Sequence, residues 1–151
     1  PAGRITLGQL NECTFSTANP QLSRVRGEQI LAALERGLTP ESLNNYLKAF
    51  RGVPVGWPAV SGLVVEYNLE ADPRVRRVLV NGQPLEPGRL YTVAHTDAEV
   101  TTEIFPAGYF ILEENQLLRT EVPTILREAI EDYLIKHEPV GRPEGPRWVR
   151  G

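Results

Sequence analysis

The dipeptide Asn81-Gly82 separates two runs rich in β-branched and aromatic residues, and it constrains this chain more than any other local feature. Asparagine and glycine tolerate positive φ, so the pair reads as a tight hairpin turn. Upstream, Val75, Val78 and Val80 mark one strand. Before it, Leu63, Val65 and Tyr67 alternate onto one face of another, with Asp72-Pro73 as the intervening turn. Downstream, Pro84-Leu85-Glu86-Pro87-Gly88 supplies a second turn, and Leu90-Tyr91-Thr92-Val93-Ala94 a third strand. The expected product is an antiparallel meander near 59–95.

Helical spacing appears on both sides of this block. Gly27 opens a segment in which Ile30, Leu31 and Leu34 share a face, and Gly37 closes it as a C-terminal glycine, giving a helix near 27–37. Thr39-Pro40-Glu41-Ser42 is a second start signal, with threonine as cap and proline in the first helical position. Leu43, Leu47 and Phe50 then line a helix near 40–50, and the two helices form a hairpin. Val122, Ile125, Leu126, Ala129, Ile130, Tyr133 and Leu134 form an apolar stripe over a third helix near 121–137. The opening PAGRITLG reads as the approach to a strand, and Gln21 to Arg26 as a short semi-apolar piece with Leu22 and Val25 on offset faces. Gly52 to Pro58 is an irregular loop carrying Trp57, and Tyr109 to Leu112 a short strand. Residues 139–151, rich in proline, glycine and arginine, read as an extended tail held by Trp148. The fold class is α+β: one domain over 1–151, with an antiparallel or mixed sheet and flanking helices.

A chain of 151 residues buries roughly two thirds of its unfolded surface, and so needs no disulfide or metal staple. A formal charge of -3 argues against a nucleic-acid partner, although Arg74, Arg76 and Arg77 make a local basic cluster. No apolar run is long enough to span a membrane. The lone Cys13 has no partner for an internal bridge and reads as a small semi-buried apolar residue before a turn. Methionine is missing even from position 1, which points to a piece of a longer protein.

Little here carries chemistry. The two histidines, His95 and His137, lie far apart, and the D-x-H, G-D, G-N-H and H-x-H patterns of a dinuclear metal site are missing, so no metal ligands or catalytic residues are assigned. His95 and Asp97 sit on one side of a strand end, the spacing of a base and its orienting carboxylate, but no nucleophile motif accompanies them. Ser61-Gly62 lacks the G-x-S-x-G elbow. Phe15, Trp57, Phe105, Tyr109 and Phe110 all fall in or beside loops, where an aromatic ring can stack on a planar ligand.

The ordered stretches PAGRITLGQL, RVRGEQILAALE, VSGLVVEYN, RRVLVNGQPLEPGRLYTVAHTD and ILREAIEDYLIKH resemble the C-terminal domain of the 5'-nucleotidase family, over nearly the whole chain. The resemblance implies a division of labour. An N-terminal metallophosphoesterase domain of the same polypeptide, missing here, would hold two divalent metal ions and hydrolyse the substrate. The present domain would bind a nucleotide or nucleoside-like molecule without a cofactor of its own, and be inactive alone. An extracytoplasmic location is suggested on the same ground.

The family's P-F-G-N loop is replaced by Cys13 to Pro20, and gapless counting sets Ser16, not Phe15, against the family phenylalanine. Of its G-G-D-G-Y-like segment only Gly108-Tyr109 remains, after Phe105. The substrate-binding residues implied are Phe15, Asn19, Phe105, Gly108 and Tyr109. Two rival readings stand beside this one. One is a non-catalytic interaction module using Trp57 and the arginine-rich tail; the other is a small hydrolase built on His95 and Asp97.

Overall fold

Thr6 and Gln9 decide how the chain begins. The Thr6 hydroxyl accepts from the Gln9 N–H at 3.2 Å, and the Gln9 side chain accepts from the Thr6 N–H at 2.9 Å, a reciprocal cap that starts a helix where a strand approach was expected. The computed structural model describes residues 3–14, 18–44, 57–100, 108–113, 115–119, 124–137, 139–141 and 144–151. In chain order these form α1 (Leu7–Cys13), β1 (Pro20–Arg26), α2 (Gly27–Gly37), α3 (Pro40–Asn44), β2 (Leu63–Tyr67) and β3 (Val75–Val80). They continue with β4 (Gln83–Pro84), β5 (Leu90–Thr96), β6 (Leu117–Arg119), α4 (Leu126–Lys136) and β7 (Trp148–Arg150). The class is α+β, as the spacing of the elements implies. Cys13 ends α1 exposed, not semi-buried, because the helix turns it to solvent.

The strands make two sheets rather than one meander. β2 and β3 pair antiparallel in the order β4-β3-β2-β7, and Asn81 and Gly82, with φ of 51° and 78°, turn the chain as expected. β5 leaves this sheet. It pairs antiparallel with β1 from Arg26↔Leu90 to Pro20↔Thr96, and β1 lies between β5 and β6. Two constraints account for the departure. β4 is two residues long and ends in Pro84, which has no N–H to extend a ladder. The turn after it is clamped to the start of α2, where Gly27 N–H donates to Arg89 O and Glu28 N–H to Pro87 O, both at 2.9 Å. That clamp delivers β5 to β1.

β1 itself was hidden by its composition. Its buried positions are Ser23 and Val25, while Leu22 is exposed, so a polar residue occupies the inward face and masks the alternation. β7 runs parallel to β2, with Val65 N–H donating to Arg147 O at 2.8 Å and Gly151 N–H to Tyr67 O at 2.9 Å. There the rings of Trp57, Tyr67 and Trp148 meet edge to face, and the Trp148 indole donates to Pro58 O at 3.1 Å.

The core lies between α2 and the sheets: Val25, Ile30, Leu34, Leu38, Val65, Val75 and Val78. Glu35 docks α2 onto β3, its carboxylate accepting from the Arg74 and Val75 N–H groups, each at 2.8 Å. Gly37 is not a left-handed cap; among the described residues the glycines with positive φ are Gly62, Gly82 and Gly145. A Cβ on Gly37 would lie 2.7 Å from Pro58 Cδ, so glycine is required there by close packing.

Thr39 caps α3 as expected, its hydroxyl accepting from Ser42 N–H at 3.2 Å; residues 45–50 of the expected helix lie outside the described residues. α4 occupies 126–136 of the expected 121–137, and 121–123 lie outside the described residues. None of its side chains is fully buried; it rests on α1, and its Leu126 N–H bonds Ala18 O at 2.9 Å. Of the strand expected at Tyr109 to Leu112, Phe110 alone pairs, in a single parallel bridge with Val100.

Three substitutions check this account. Gly27→Ala places a methyl against the Glu86 carbonyl, 2.9 Å from its carbon, where only backbone movement gives relief. It should lower the urea-unfolding free energy by about 1–3 kcal/mol. Gly8→Ala in α1, with nothing nearer than Thr6 Oγ1 at 3.8 Å, should raise it by up to about 1 kcal/mol; equal effects at both sites would contradict the clamp. Glu35→Ala, which strands two N–H groups, should cost about 2 kcal/mol.

Candidate functional site

β5 and the segments that flank it place the site. An open cleft of about 600 Å³ lies between β5 on one side and residues 59–63 on the other, roofed by Ile30, Ala33 and Leu34 of α2 and closed at one end by Tyr109 and Phe110. That volume suits a small organic ligand, and the lining is mainly apolar with a few polar groups.

Tyr109 is held here by α2. The Arg36 guanidinium donates through Nη1 to Gly108 O at 2.9 Å and to Tyr109 O at 3.1 Å. The phenol is nearly buried, and burial, followed by the negative charge of Glu99, pushes it up to about 12. It therefore stays neutral at physiological pH. The next residues are held by a reciprocal amide pair: Gln29 Nε2 donates to Gln116 Oε1 at 2.8 Å, and Gln116 Nε2 to Gln29 Oε1 at 2.7 Å. Gln29 also donates to Ile111 O at 3.1 Å.

His95 lines the cleft from the end of β5, but it does not pair with Asp97. Its Nδ1 lies 2.9 Å from Thr96 O, and a carbonyl only accepts, so Nδ1 carries a proton and Nε2 is left to accept the Ser23 hydroxyl at 2.8 Å. Ser23 is 0% exposed, out of reach of any substrate. Asp97 instead accepts from Asn19 N–H at 3.1 Å and from Asn19 Nδ2 at 2.9 Å, while its own N–H donates to Asn19 O at 3.0 Å. The base-and-carboxylate pair of the small-hydrolase reading is not assembled.

Of the five residues implied as substrate contacts, the structure brings Gly108 and Tyr109 to the cleft end, and Tyr109 lines it. Asn19 is spent on Asp97 and does not line the cleft. Phe15 and Phe105 lie outside the described residues. Sequence reasoning passed over Arg36, Gln29 and Gln116, whose partners are 72 to 87 positions away and leave no local signal. No metal-holding group of three or more His, Cys, Asp or Glu forms among the described residues. His137 is occupied as well, with Nδ1 3.0 Å from Tyr133 O and its ring stacked on that tyrosine, so the histidines described do not fit a dinuclear centre. No described helix is long and apolar enough to cross a membrane.

Comparison with known proteins places this geometry. No curated protein matches the sequence. A 5'-nucleotidase precursor from Thermus thermophilus is 26% identical with a TM-score of 0.71, and the match covers 99% of this chain but 28% of that one. A putative 5'-nucleotidase from Staphylococcus aureus, solved with alpha-ketoglutarate, shares the fold at 11% identity and a TM-score of 0.76, over 97% of this chain and 30% of the other. The Thermus thermophilus sulfate thiohydrolase SoxB, solved with glycerol, does so at 24% identity and a TM-score of 0.58, over 90% and 23%. The chain thus spans under a third of these solved structures. The family model for the 5'-nucleotidase C-terminal domain matches residues 1–101, and the chain belongs to that family.

Proposed function

We propose that this chain is the substrate-recognition domain of a 5'-nucleotidase-like hydrolase. Hydrolysis would belong to a metallophosphoesterase domain of the same polypeptide that holds two divalent ions. The observation that carries this reading is the relation of lengths: nearly all of this chain corresponds to about a quarter of a 5'-nucleotidase precursor. The makeup of the described residues supports it, since they offer an apolar cleft with a neutral tyrosine at its end. Residues of this chain bind and orient a nucleotide or related phosphoester. Gly108 and Tyr109 stand at the cleft end, and Phe15 and Phe105 supply the stacking faces. Asn19 acts from the junction it shares with Asp97. An extracytoplasmic site of action follows the same reading, the Thermus relative being described as a precursor.

Phosphate release separates the parts. The isolated chain, supplied with AMP and manganese, should release none above buffer; measurable release would overturn the division of labour. In the full-length polypeptide, Phe105→Ala should raise KM for AMP about tenfold with kcat little changed, the expected loss of one stacking face. An unchanged KM would remove Phe105 from the site. Failure of the full-length protein to bind any nucleotide in calorimetry would favour the interaction module instead.

A further inference from the structure

Among the described residues that line the cleft, Glu99 alone brings a charge. It closes the short turn Asp97–Glu99 after β5, where the Thr96 N–H donates to Glu99 Oε2 at 2.7 Å. Its backbone carbonyl accepts from the Phe110 N–H at 2.9 Å, so Glu99 stands at the same end of the cleft as Tyr109 and Phe110. The carboxylate acts on that end: after burial, its negative charge is what pushes the Tyr109 phenol up to about 12. Glu99 Oε1 has no hydrogen-bond or ion-pair partner among the described residues.

The rest of the described lining offers nothing to balance that charge. It contains no lysine or arginine. Ser61, Asn81 and Thr92 are neutral, and His95 spends both ring nitrogens on Ser23 and on Thr96 O. Arg36 turns its guanidinium to the Gly108 and Tyr109 carbonyls and does not line the cleft. An uncompensated carboxylate in mainly apolar surroundings sorts ligand groups by their chemistry. A group that covers Glu99 without donating to it strips water from a charge and leaves it unpaired, which is costly. An anion placed there adds like-charge repulsion that the cleft screens poorly. A neutral O–H or N–H donor does neither, and its bond to the carboxylate is charge-assisted.

Resting on the nucleotide reading above, we propose that Glu99 is a specificity-determining residue for that ligand. Its Oε1 accepts a hydrogen bond from a neutral donor of the nucleoside, a sugar hydroxyl or a base amino group, and its charge turns the phosphate away. The Tyr109 end of the cleft thus holds an uncharged part of the ligand, and the phosphate lies toward the open side. The domain recognises the nucleoside within the nucleotide, so the dephosphorylated product binds it about as well as the substrate does.

Titration of this chain with adenosine and with AMP, followed through its amide NMR signals, tests the assignment. The wild-type chain should bind the two with similar affinity. Glu99→Gln, whose amide oxygen can still accept from the Thr96 N–H, should weaken both about tenfold. Two analogues name the donor: dideoxyadenosine lacks the ribose diol, and purine riboside lacks the base amine. One of them should bind wild type about tenfold less well than adenosine and be indifferent to the substitution. This comparison needs only the wild-type chain, so it decides the matter even where the variant does not fold. Equal binding of adenosine by wild type and folded variant would overturn the role of Glu99, as would analogues that both match adenosine. So would AMP binding more tightly to Glu99→Gln than to wild type, which would put the phosphate against the carboxylate. A wild-type chain that binds neither adenosine nor AMP would instead sink the nucleotide reading itself, and this proposal with it.

Discussion

The contact between Gly27 and the Glu86 to Arg89 turn is the constraint on which the arrangement depends. At one point it ends β1, starts α2 and begins β5, because the first two N–H groups of the helix are taken by Arg89 and Pro87 carbonyls instead of by water. The approach is close enough that only hydrogen fits in place of a side chain. Without it, β5 would have its sequence neighbours in β3 and β4 as the nearest partners, and the two sheets would have no reason to separate.

α2 then acts as the hub, and its polar residues reach three separate segments. Glu35 holds the start of β3, Gln29 holds Gln116 and Ile111, and Arg36 holds Gly108 and Tyr109. The apolar face of the same helix supplies Ile30 and Leu34 to the core and to the cleft roof. A single eleven-residue helix thus joins both sheets and the recognition segment, so packing and site geometry are set together.

What the sequence disclosed and what it concealed divide by range. The hairpin at Asn81-Gly82, the helix from Gly27 to Gly37 and the strand around Val65 rest on turn chemistry and periodicity within a few residues, and all were legible. The partner of β5 was not, because its pairing with β1 joins residues 64 to 76 positions apart and Ser23 interrupts the apolar pattern that would have announced β1. α1 was missed because Ile5 and Thr6 suggest a strand, while the Thr6 and Gln9 cap outweighs them. Family resemblance named Gly108 and Tyr109, which Arg36 holds beside the cleft. It could not show that Asp97 turns to Asn19 instead of His95, since side-chain direction at a strand end follows from the tertiary ladder.

The parallel pairing of β7 with β2 has a consequence for the order of events during synthesis. Trp148 follows Tyr67 by 81 residues, a lag on the order of 4 to 16 seconds at ordinary translation rates. Through that interval β2 and β3 can form their hairpin, but the far side of β2 has no strand, and the rings of Tyr67 and Trp57 lack the indole that meets them in the finished sheet. For that time the nascent chain therefore carries an aromatic-flanked strand with one edge unpaired.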